Sequence, residues 1–224
     1  MKMPNVTNSA ETLIKVYGVY HLTRLQADKN VKELAAGFER AQARLADKLA
    51  AYEAAYISAQ RALAVRDGED VALDEAVRRF YNAVLGKCGN NHKSQLFLRY
   101  FPDGMSPVVN APLENELLKV NTIITKLAEE ADADLAGHAD SLVAAMNALQ
   151  TAMDAHTTAL TGEANAYGMV QSEKINWLDT YKLDHRTLAQ LYYKEAKKAD
   201  TFFKPAAKDK KEAAAPAVPE VPKV

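Results

Sequence analysis

The chain has 224 residues, 48% of them hydrophobic, with 28 basic and 29 acidic residues and a formal net charge of -1. That length suits one large domain or two small ones, and the charge balance gives no overall attraction to nucleic acid or to an anionic membrane. A single cysteine, Cys88, excludes an internal disulfide and suits a reducing compartment, so a cytoplasmic location is expected.

Residues 1–7 read as a short N-terminal extension with no apolar run, unlike a secretory signal. From Asn8 to Arg66 there is no proline. Apolar or small residues recur there at helical spacing, among them Val16, Tyr20, Ala27, Val31, Leu34, Phe38, Leu45, Tyr52 and Leu63. The stripe predicts one continuous helix, capped at Asn8 or Ser9 and stopped at Asp67-Gly68. A tight break near Asp28–Asn30 is the alternative. Shorter helical material follows from Val71 to Lys87. A turn at Gly89-Asn90-Asn91 then leads into a helix from His92 to Phe101.

Residues 103–111 form a Pro-rich link, and Pro112 suits the first turn of the next helix. A second breaker-free stripe runs from Leu113 to Thr161 through Leu117, Val120, Leu135, Leu142, Met146 and Leu149, and Gly162 is expected to close it. Helical segments follow at 166–183 and, after a cap at Asp184, from His185 to Phe203. Residues 206–224 are a Lys/Ala/Pro tail without an apolar period, expected to be disordered and able to tether a partner. No segment reads as a strand. No stretch approaches the ~18 apolar residues of a membrane span.

The halves echo one another. Leu13-Ile14-Lys15-Val16 matches Leu117-Leu118-Lys119-Val120 at an offset of 104. Phe38, Leu45 and Phe80 match Leu135, Leu142 and Trp177 at 97, and His92 matches His185 at 93. The change of seven between the first two offsets keeps a helical stripe on one face, which favours unbroken long helices. The repeats are residues 8–102 and 112–205. The expected fold is all-α: an elongated antiparallel helical bundle of two duplicated units, each a long helix with short helices, ending in a disordered tail.

Candidate chemistry is sparse. There is no phosphate-binding loop, nucleophile elbow or zinc cysteine pair, and no cofactor motif. Cys88 sits at a helix C-terminal end, where the dipole disfavours a thiolate. His21, His92, His138, His156 and His185 are scattered. His138 and His156 lie too far apart on one stripe to share a metal. Glu130 and Asp134 form an i, i+4 acidic pair that resembles the metal motif of PhoU-like phosphate-signalling proteins, which also duplicate a helical unit. The first half reads Asp28-Lys29-Asn30 at the matching place.

Aromatic residues gather in the short segments and nominate a partner or dimer surface: His92, Phe97, Tyr100, Phe101, His185, Tyr192, Tyr193, Phe202 and Phe203. These features point to a non-catalytic structural or interaction protein that dimerises or holds a protein partner, with nucleic acid disfavoured. One alternative is a surface-coating or apolar-ligand protein. In its helical body and Ala/Lys/Pro-rich tail the chain is similar to phasins, which coat storage granules. A metal-binding bundle is the other alternative.

Overall fold

The structure, a computed structural model, describes residues 3–205. The tail 206–224 lies outside the described residues. Among the described residues the chain is helices and turns, with no strand.

The first helical stretch is α1 (Ala10–Thr12), a π-helical run (Leu13–Gly18) and α2 (Val19–Ala27). A 3-10 turn (Lys29–Val31) leads into α3 (Lys32–Lys87). Then come α4 (Gln95–Tyr100), α5 (Ser106–Val109), α6 (Leu113–Leu127) and α7 (Ala133–Ala136). The second long helix is α8 (Ala139–Leu191), followed by α9 (Ala196–Asp200).

Two long helices are present, but not over the stretches the sequence suggested: the run from Leu113 to Thr161 is broken after Leu127, and its later part belongs to α8. The continuous helix from residue 8 is interrupted at Asp28, whose extended backbone and side chain cap the turn at the Asn30 N–H. An apolar stripe keeps its phase across such a turn, so the stripe cannot reveal it. The stops at Asp67-Gly68 and Gly162 are absent, and α3 and α8 run through them. A glycine costs a helix about 1 kcal/mol relative to alanine, which packing further along overrides. Asp184 caps nothing. It lies inside α8, 4% exposed.

A single offset also fits several landmarks of the fold. A shift of 104 maps the cap Asp28 onto the cap Asp132, buried Leu45 onto buried Leu149, and the last residue of α3, Lys87, onto the last of α8, Leu191. The match at 97 lies one heptad away and also pairs buried residues, Phe38 with Leu135 and Leu45 with Leu142, as a repeating stripe permits. On the 104 shift His185 answers Tyr81, not His92. His185 lies inside α8, while His92 lies in the turn after α3.

The chain packs as two compact units. One takes the chain up to Leu49 and from Met169 onward; the other is Ala50–Gly168. This division by packing differs from the division by sequence match, because each unit draws on both long helices.

In the first unit the helices are antiparallel: Phe38 faces Tyr181, Gln42 faces Trp177, and Arg44 faces Glu173. Its core joins Leu13, Leu25, Phe38 and Leu45 to Trp177, Tyr181, Phe202 and Phe203, all at most 2% exposed. In the second unit the order is again antiparallel. Tyr52 meets Tyr167, Arg66 meets His156, Phe80 meets His138, and Lys87 pairs with Asp132. Its core is Leu73, Val77, Phe80 and Val84 of α3 with Phe97, Phe101, Ile123, Leu127, Leu142 and Leu149.

Candidate interaction surface

The structure places the nine nominated residues unevenly. Phe97, Tyr100 and Phe101 lie in the core of the second unit, and Tyr192, Phe202 and Phe203 in that of the first, each at most 8% exposed. They hold short segments against long helices and offer no surface. Tyr193 is 71% exposed, with Lys194 over its ring. His92 is exposed and stands edge-on to Phe97 at 4.9 Å. His185 is half-buried against Phe203 at 5.0 Å. The two histidines belong to different units, each with its own aromatic partner.

The acidic run is taken up in ion pairs. Lys87 Nζ lies 2.9 Å from Asp132 and 2.7 Å from Asp134. Glu130 accepts the Tyr100 hydroxyl at 2.7 Å, which together with the Asp132 N–H holds its carboxyl below the usual range. Burial, and then that same bond, pushes the Tyr100 phenol well above its ordinary value. Among the described residues no group of His, Cys, Asp and Glu could hold a metal.

The sequence did not single out two of the buried polar groups. His21 is fully buried, with Nδ1 3.0 Å from the Phe202 carbonyl and Nε2 3.1 Å from Asp184 Oδ2. A carbonyl only accepts, so Nδ1 carries a hydrogen. Phe38, Tyr181 and Phe203 surround the ring at 4.6–4.8 Å. The neighbouring Arg24 donates to the carbonyl and hydroxyl oxygens of Thr201. Together they clamp the segment after α9 onto α2. The other group is Glu116 of α6, 1% exposed. Neither was visible beforehand, because a lone His or Glu on a helical stripe is indistinguishable from an exposed one.

The outward face of the second unit is the most unusual surface. Where α3 and α8 pair, most inward positions are small or polar: Ala55, Ala59 and Ala62 on α3, and His156, Ala159 and Glu163 on α8, with Tyr52 and Leu63 half-buried among them. Large apolar side chains point outward instead. Tyr56 is 47% exposed, Ile57 48%, Leu160 45% and Tyr167 52%. Leu160 and Tyr167 are seven apart on α8 and share a face, and Tyr56 lies one turn from Tyr52 on α3. The contact between the Tyr52 and Tyr167 rings, 5.6 Å apart, joins the two faces. Further along α8, α6 lies beside this face, leaving a groove lined by Leu117, Leu118, Met146 and Met153.

Comparison with known protein families, with curated proteins and with solved structures found no match. Among the described residues no helix is long and apolar enough to cross a membrane.

Proposed function

We propose that the chain is a non-catalytic helical interaction protein that self-associates through the open α3–α8 face of its second unit. The carrying observation is the inversion of size across the helix pair. Alanines make up much of the seam, beside half-buried Tyr52 and Leu63, while Tyr56, Ile57, Leu160 and Tyr167 face solvent. Such a row leaves apolar area in water, at about 25 cal/mol per Å², until something covers it. Tyrosine and leucine occur on both helices of the face, which suits an isologous contact in which a second copy presents the same patch. Duplication of the two halves belongs to the same reading, and the constant shift of 104 supports it.

Mass measurement by light scattering after gel filtration tests the proposal. A dimer is expected, and Tyr56→Glu with Leu160→Glu should give a monomer of 24.6 kDa with unchanged helix content. Both substitutions are at exposed positions, so the fold tolerates them. A wild-type chain that runs as a monomer at tens of micromolar would overturn the self-association reading. A monomer that adsorbs to lipid or polymer granules would replace it with surface coating.

A further inference from the structure

The first turn of α6 buries a carboxyl group without giving it a donor. Glu116 is 1% exposed, and no hydrogen-bond donor faces its Oε1. Its neighbours across the α3–α6 contact are Asp70 and Asp74, both within hydrogen-bonding reach. Oδ1 of Asp74 is also buried and unpaired. Three ionised carboxylates cannot satisfy one another, because each only accepts. One proton resolves the arrangement: a neutral Glu116 donates its O–H to an aspartate.

The surrounding charges do not remove that need. Arg78 approaches Asp74 only at Oδ2, 3.5 Å away. Arg66 favours ionised Asp70, but Asp67 opposes it. Arg66 is itself engaged with Asp67 and, from α8, with His156. Burial first, then the two aspartates, pushes Glu116 from an ordinary 4.5 up to about 8.

We propose that a proton shared among Glu116, Asp70 and Asp74 clasps the first turn of α6 onto α3, and that losing it frees this turn and widens the groove beside the association face. The clasp stands on the cluster alone; its effect on association rests on the self-association reading. Glu114 on this turn and Leu117 and Leu118 on the next form one wall of the groove opposite Met146 and Met153. The contact is fully present below about pH 4.5 and is lost as pH rises through about 8. Above that value buried Glu116 carries a negative charge facing the half-buried Asp70 and Asp74 across the helix contact.

Amide hydrogen exchange on the full chain, corrected for the intrinsic rate, tests this between pH 6 and 9. In the wild type, protection at Leu117–Val120 should fall roughly 10–100-fold as Glu116 ionises. Glu116→Gln keeps the shape and offers an N–H donor at every pH, so its change should stay under about threefold. Asp70→Asn with Asp74→Asn supplies donors from the other side and should flatten the response too, a second route if Glu116→Gln does not fold. A flat wild-type profile, or variants that match the wild-type slope, would sink the clasp. Mass measured at pH 6 and 9 separates the two ideas. A monomer at both values, with the exchange response intact, removes the association reading and leaves the clasp standing.

Discussion

At the residue scale, one side chain ties the first unit together. Gln42 Nε2 donates to the Ile14 carbonyl at 2.8 Å, and its Oε1 accepts the Trp177 indole N–H at 2.8 Å. The carboxamide fits because Gly18, at the end of the π-helical run, has no side chain; a Cβ there would overlap it. Trp177 is fully buried, so Gln42→Ala leaves an indole N–H unpaired inside the core. A loss of about 1–3 kcal/mol is expected. Urea unfolding followed by the fluorescence of Trp177, the chain's single tryptophan, measures it. A loss below about 0.3 kcal/mol would show that the indole finds another partner. No sequence signal marks Gln42 or Gly18, because a glutamine on a helix edge and a glycine in a helical run both have bland uses.

At the element scale, the informative residues are those that sequence reading took as punctuation. Gly68 lies inside α3 with open space around its Cα, and its φ is not positive. Gly68→Ala should therefore stabilise the protein by about 0.5–1 kcal/mol, the glycine penalty of a helix interior. If Gly68 ended the helix in the left-handed conformation, the same change would destabilise it, so the sign of the shift in Tm decides. Glycine does end α3 further on, where Gly89 and Asn90 have φ of 57° and 61°. The presence of two long amphipathic helices was legible, because spacing of three and four residues survives over many turns. Their starts were not. Asp28 and Asp132 each cap a new segment with no proline or glycine nearby to announce it.

At the scale of the whole molecule, the first unit closes only when distant parts of the chain meet. Phe202 and Phe203 fill its core, and His21 and Arg24 bind the backbone beside them. A chain ending at Lys194 should expose Trp177, shifting its emission to the red and lowering its melting temperature. A chain ending at Pro205 serves as the control, since it keeps every one of these contacts. Equal emission and melting in the two would sink the clamp. The aromatic residues nominated from the sequence belong partly to this account: Tyr192, Phe202 and Phe203 fill the core of the first unit, and Phe97, Tyr100 and Phe101 that of the second.

The sequence by itself determined that the chain is helical, that two long stripes dominate it, and that its halves echo one another. Those properties are local, written in side-chain period and helix propensity. Only the tertiary structure decided where each helix begins, because an apolar stripe keeps its phase across a capped turn. Only it decided which aromatics are buried, since a ring at a given helical position faces the core or the solvent according to the neighbours that arrive there. The partnership of His21 with Asp184, and of Glu116 with Asp70 and Asp74, depends on contacts between residues far apart in sequence, which no local pattern records.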